Sequence, residues 1–253
     1  MMHLKNVKEF TVHQCPELVL PLFVETSHCY ASLEKLTLIG CESLKSLPPG
    51  LFPKLHSLTI KECFNFETLV VQEGSELQNV TSLEGLKIVN CNNMVSFPCG
   101  GLPAPNLSFL WLKRCEKLKA LPEKMDTLLP SLVSLKILES PEMESLTEGG
   151  LPSKLSFLGI THCKKLVGGL RNCGLQSHPS LTEFVLYGES EDDALESFPE
   201  EGLLPSILID LQIYKMPNLK SLNIRGLQLL GSLKRMYIGK CPQLQSLPEE
   251  GLS

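Results

Sequence analysis

A single unit recurs along this chain at intervals of 22 to 28 residues, and periods of that size mean coils stacked into a solenoid. The copy beginning at Leu33 reads LEKLTLIGCESLKSLP, with leucines at 33, 36, 38, 44 and 47. That spacing matches neither the roughly 3.6-residue period of a helix nor the roughly 2-residue period of a strand. Further copies begin at Leu55, Leu83, Leu107, Leu132, Leu155, Leu181, Leu208 and Leu233, and a weaker one, VKEFTVHQCPEL, at Val7, making ten.

The pattern has a physical reading. In the L-x-L pair, Leu36 and Leu38 point to one face of a short strand while the residue between them points to the other. The remaining leucines bring the chain back over that strand. One coil cannot bury its own apolar set, but stacked coils share a continuous core. The expected fold is therefore an α/β solenoid. About ten short parallel strands, spaced about 4.8 Å apart, line the concave face. The connecting pieces carry LP, GGLP, PSKL and PEEG, which favour turns and 3₁₀ segments on the convex side over long helices.

Seven of the ten cysteines fall at one repeat position: Cys15, Cys41, Cys63, Cys91, Cys115, Cys163 and Cys241. Ser140 and Met216 stand there in two other copies, and the copy at Leu181 becomes irregular near Glu189. The position follows the strand and turns inward. A small, weakly polar side chain fits it and can donate to carbonyls freed by the turn. Disulfides between neighbouring rungs satisfy distance alone, but the Cβ vectors run side by side. Metal binding or catalysis lacks a C-x-x-C or a Cys–His pair facing one pocket. Structural, reduced thiols fit the pattern best and favour a cytoplasmic address.

The unit L-x-x-L-x-L-x-x-C-x-x-L-x-x-L-P is a leucine-rich repeat. With cysteine inside and GLP or EEGLP after it, the sequence resembles the repeat region of plant intracellular disease resistance proteins of the coiled-coil, nucleotide-binding, leucine-rich-repeat type. The tracts LTLIGCESLKSLPPG, GGLPSKLSFLGITHCKKL and MYIGKCPQLQSLPEEGL carry that resemblance. It implies a recognition module without enzymatic activity. Such a module senses pathogen effectors or modified host proteins and restrains a neighbouring nucleotide switch. Its partner is a protein: an effector, a guarded host protein or the receptor's own nucleotide-binding domain. No G-x-x-x-x-G-K-[ST] phosphate cradle occurs, so no nucleotide or other cofactor is expected. Residues 1–253 read as one repeat domain, a fragment without the upstream nucleotide-binding domain, since the chain opens near a weak copy and stops mid-unit at PEEGLS. The alternative is a repeat scaffold of another system, such as a substrate adaptor in ubiquitin ligation.

The net charge of −5 argues against a nucleic-acid binder. No apolar run approaches the roughly 18 residues of a membrane span, and VLPLFV at 19–24 is short and broken by proline. Strand residues outside the L-x-L pair face solvent, and two clusters stand out among them. Trp111, the only tryptophan, has Phe109 beside it, Phe157 two coils away, and Lys87, Lys113, Arg114 and Lys136 around it. Tyr187, Tyr214 and Tyr237 form a second row. Aromatic and arginine side chains concentrate binding energy at interfaces, although strands also favour aromatics for packing across rungs. These ten residues are the candidate partner-binding set.

Weaker signals read as ordinary surface. The sequons at Asn79 and Asn106 matter only in a secreted protein, and the acidic stretch 188–202 and the insertion 72–80 read as solvated loops. The His28–Cys29 and His162–Cys163 pairs lack a shared pocket by register.

Overall fold

The computed structural model describes residues 6–18, 30–71, 80–146, 150–188 and 195–245. Ten five-residue strands form one parallel sheet in strict chain order. They are β1 Glu9–His13, β2 Lys35–Ile39, β3 Ser57–Lys61, β4 Gly85–Val89, β5 Phe109–Lys113, β6 Ser134–Leu138, β7 Phe157–Thr161, β8 Glu183–Tyr187, β9 Asp210–Tyr214 and β10 Arg235–Gly239. Every pairing is in phase, so that Leu36, Leu58, Leu86, Leu110, Leu135 and Leu158 form one column of register partners. An in-phase repeat produces this arrangement, because a one-residue slip would turn every leucine of a strand to solvent. The fold is the leucine-rich-repeat solenoid expected from the repeat.

In β3–β6 the burial alternates as the L-x-L pair requires: both members are buried and the other three residues are half-buried. The remaining repeat leucines close the same core, with Leu83, Leu107, Leu118, Leu132 and Leu155 fully buried. Each such side chain contributes about 1.5–3 kcal/mol, shared with the coils on either side. The return path is mostly turn and 3₁₀, with short helices α1 (Met125–Leu128), α2 (Lys164–Gly169) and α3 (Ile224–Gln228). Two two-residue parallel ladders also lie there, Ser46–Leu47 with Thr68–Leu69 and Ser197–Phe198 with Ser221–Leu222.

Nine of the ten strands end in a sharp inward turn. The residue after the strand takes a left-handed conformation at Gln14, Glu62, Asn90, Arg114, Glu139, His162, Lys215 and Lys240, with φ between 50° and 56°, and at Gly40 with φ 65°. For a residue with a Cβ this costs about 1–2 kcal/mol. The cost is offset because the N–H of the turned residue extends the ladder: Glu62 N donates to Val89 O (2.9 Å), Asn90 N to Lys113 O (2.8 Å) and Arg114 N to Leu138 O (2.9 Å). The next residue is the recurrent cysteine. Its carbonyl accepts the turn-closing bond from the leucine or its stand-in three positions on, as in Phe66 N to Cys63 O (3.0 Å) and Leu118 N to Cys115 O (3.2 Å).

The thiols behave as the repeat position demands in the interior. Cys63 Sγ donates to Lys61 O (3.4 Å) in its own rung and lies 3.8 Å from Leu38 O in the rung before. Cys91, Cys115 and Cys163 repeat this double contact, and Ser140 donates to Leu138 O at 3.1 Å. Burial pushes the Cys63 and Cys163 thiols up to about 11 and the Cys115 thiol up to about 12. None of the described cysteines is disulfide-bonded. The inward expectation needs correction at two positions, where Cys15 is exposed and Cys241 half-buried. Their strands, β1 and β10, have a neighbour on one side alone among the described strands, so the turn is covered from that side only.

The acidic stretch 188–202 is also more structured than a solvated loop. Residues 189–194 lie outside the described ones, but Ser197–Phe198 is a strand, and Phe198 is buried and stacked on Phe184 at 6.2 Å. Asn79 of the first sequon, residues 72–79 of the insertion 72–80, and His28 with Cys29 likewise lie outside the described residues, while Val80, which ends that insertion, is buried. Asn106 uses its side-chain amide to donate to Thr81 O (2.5 Å), a tie between rungs.

Candidate protein-binding face

Odd-numbered positions of β5 fall opposite the core, so Phe109, Trp111 and Lys113 share the outer face of one strand. Register brings Lys87 of β4 and Lys136 of β6 level with Trp111 on its two sides. Phe109 and Trp111 meet edge to face, with centroids 6.3 Å apart. Lys87 Nζ sits over both rings, 5.6 Å from Phe109 and 5.5 Å from Trp111, and Lys136 Nζ lies 5.0 Å from the Phe157 ring. Lysine stems cover apolar ring surface here while keeping the ammonium outward. The indole Nε1 is buried and has no hydrogen-bond partner.

Lys113 and Arg114 stand differently. Both pair with Glu139, Lys113 Nζ at 3.2 Å from Oε1 and Arg114 Nε on Oε2. Burial works to raise the Glu139 carboxyl, but the hydrogen bonds from Arg114 and Lys113 outweigh it and hold the group below its usual range. Glu139 was not among the candidates from the sequence. It sits in the position after the strand, the same column as Arg114, and that column was the signal that could have found it.

The second cluster is a ladder. Tyr187 and Tyr214 are register partners with centroids 4.9 Å apart, and Tyr214 stacks on Tyr237 at 6.0 Å and 20°. Tyr214 faces Gly239 in register, and Tyr237 lies two residues before that glycine. The Tyr214 ring lies over the glycine: a Cβ there would come within 2.6 Å of Tyr214 Cε2. Gly159 serves Phe157 in the same way, with its would-be Cβ 3.0 Å from Phe157 Cε1. His162 packs edge-on against Tyr187 at 5.1 Å. Lys215 Nζ is 5.4 Å from the Tyr187 ring and Lys240 Nζ 5.5 Å from the Tyr214 ring. The two glycines and these two lysines escaped the sequence reading as ring seats: Tyr214 meets Gly239 across a rung, and Phe157 folds over Gly159 of its own strand.

The ten candidates thus fall on one face in two groups. Lys87, Phe109, Trp111, Lys113, Arg114, Lys136 and Phe157 span β4 to β7, and Tyr187, Tyr214 and Tyr237 span β8 to β10. At the far end Arg235 Nε bonds Asp210 Oδ2 at 2.6 Å. Among the described residues, no three His, Cys, Asp or Glu side chains converge as a metal site, and no helix is long and apolar enough to cross a membrane.

No family model matches the chain. Over 98% of its length it is 39% identical to an Arabidopsis thaliana protein described as a disease resistance protein, At3g14460, of which it spans 17%. The Arabidopsis disease resistance protein RPP4 is 25% identical over 97% of the chain, which covers 18% of RPP4. SUPPRESSOR OF npr1-1, CONSTITUTIVE 1, from the same plant, is 33% identical over 53% of the chain and 9% of its own length. Among solved structures, a leucine-rich cell surface protein from Faecalibacterium prausnitzii aligns over 84% of this chain and 55% of that one. Its 12% identity and TM-score of 0.19 add nothing to the assignment. The chain spans less than a fifth of these plant relatives, and by its repeat, its parallel sheet and that likeness it belongs with the leucine-rich-repeat regions of plant disease resistance proteins.

Proposed function

We propose that this chain is the partner-sensing part of a plant immune receptor, working in the cytoplasm by surface binding and without chemistry. Its residues form one repeat domain beside a nucleotide-binding switch. It binds pathogen effectors or host proteins that effectors modify, and its contacts restrain the switch until a partner arrives. The observation that supports this most directly is the aromatic and cationic face running across β4–β10, from Lys87 to Tyr237. Rings on a rigid sheet bury area at low conformational cost, and the cationic side chains beside them add charge complementarity, which suits recognition. Unpaired thiols stacked in neighbouring rungs support a reducing compartment.

A photo-reactive phenylalanine analogue tests the face directly. It replaces Trp111 or Tyr214 on the sheet, or the exposed Thr127 on α1, in protein expressed in leaf cells. Adducts to another protein or domain are expected from positions 111 and 214 and not from 127. Adducts formed only from 127 would remove the sheet face from the reading.

A further inference from the structure

The proposal that follows rests on the reading of the sheet face as the binding surface, and names the chemistry of what it binds. We propose that Lys87, Trp111 and Lys136 form a carboxylate-accepting site, filled by an acidic segment of the protein partner.

The charge on the face is the first ground. On the outer positions of β4–β7 and the residue after each strand there are four cations, Lys87, Lys113, Arg114 and Lys136, against one acid, Glu139. The chain as a whole carries −5, so this region opposes the sign of the molecule that holds it. A surface of that kind attracts an acidic partner.

Unmet donors are the second ground. Glu139 serves Lys113 and Arg114. Lys87 and Lys136 have no carboxylate partner among the described residues and rest on rings alone. Between them lies the buried Trp111 Nε1, a donor without an acceptor. Ammonium and indole N–H groups can only donate, and a buried donor left unpaired is destabilising. Three donors on three adjacent strands, spanning about 10 Å, therefore lack one kind of group, an anionic oxygen. Carboxylates drawn between the two lysines pair their ammonium groups, and a shift of the surrounding side chains lets the indole N–H meet an acceptor.

The surroundings choose among anions. Phe109 and Phe157 flank the site with apolar ring surface, which a free inorganic anion leaves unused and a peptide covers. Nucleic acid also offers anions and bases to stack, but the acidic charge of the rest of the chain opposes a polyanion.

Trp111 is the only tryptophan, so its fluorescence reports this site alone. The chain is titrated with a Glu–Ser repeat peptide, its Gln–Ser counterpart, inorganic phosphate and an oligothymidylate. The expected result is a saturable change in emission with the Glu–Ser peptide only, weakening as added salt shortens the screening length below about 8 Å. Lys87→Met and Lys136→Met each weaken binding about fivefold. Lys54→Met, at an exposed site off the strands, leaves it unchanged. An equal response to the Gln–Ser peptide, to phosphate or to the oligonucleotide overturns the proposal, as does full binding by the double lysine variant. The two readings fail separately. If the double variant, with the photo-reactive group at Tyr214, captures its partner as well as the parent does, carboxylate recognition fails and the face stands. If the peptide binds as expected but the sheet positions capture nothing, the face fails and the anion chemistry stands.

Discussion

At the scale of the residue, the recurrent thiol is the clearest case of a side chain chosen by geometry. In the interior it follows a left-handed residue into the core and reaches two carbonyls, and Ser140 in the same place donates to Leu138 O and accepts from Cys115 N–H. Burial keeps Cys63, Cys115 and Cys163 protonated, with pKa values pushed up to between about 11 and about 12, and only the thiolate is a nucleophile. Iodoacetamide at neutral pH should therefore label Cys15 and Cys99, which are exposed, and spare these three until the chain is unfolded. Rapid labelling of Cys115 in the folded protein would contradict this packing. His178 makes a second residue-scale prediction. It is buried, with Nδ1 accepting from Ser180 N–H (3.3 Å), which leaves Nε2–H to donate to Pro152 O at 3.0 Å. Burial lowers its pKa below the usual 6.5, more than the hydrogen bond to Pro152 raises it. The unfolded chain then binds the proton more readily, so the contribution of this site is fully present above pH 6.5 and is lost as pH falls from there toward the folded value. The melting temperature should drop between pH 7 and pH 5 (approximate bounds set by the histidine range), and His178→Gln should flatten that slope.

At the scale of the element, each strand is read twice, once by the core and once by the face. The core reads the L-x-L pair and needs only bulk and alternation. The face depends on what stands next door. Gly239 shows the difference: within its own strand it is a weak residue for a sheet, but across the rung it seats the Tyr214 ring. Gly239→Val places carbon where Tyr214 Cε2 and Cδ2 now lie, 2.6 and 2.7 Å from the new Cβ. The atoms in the way are the end of a flexible side chain, so the ring swings out while the strand persists. Near-ultraviolet circular dichroism should lose tyrosine intensity with the far-ultraviolet spectrum unchanged, and stability should move by no more than about 1 kcal/mol. A collapse of the far-ultraviolet signal would show that the glycine holds the strand itself.

At the scale of the whole molecule, stability is a sum of rungs and their shared interfaces. A leucine between two neighbours loses packing on both sides when it is truncated. Leu112 of β5 is fully buried, whereas Ile238 of β10 is half-buried. Leu112→Ala should cost about 2–5 kcal/mol, and Ile238→Ala less than half as much, measured by urea unfolding. Equal costs would mean that β10 is covered as fully as the centre. The rung count, the in-phase register and the inward position of the interior thiols were all legible in the sequence, because each repeats and repetition averages out local noise. The candidate face was legible as a set of names. Its pairings were not: Lys113 and Arg114 are bound to Glu139, Lys87 and Lys136 are not, and Trp111 is left with a buried N–H.

The division has a physical cause. Burying an apolar side chain depends on period alone, and a period is written along one dimension, so the sequence by itself determined the solenoid, its parallel sheet and its core. Charge pairing and ring stacking depend on which side chains meet across strands separated by 22 to 28 residues. Only the tertiary structure decided those meetings, because a contact of about 4–6 Å is fixed by the full set of register partners and not by any one rung.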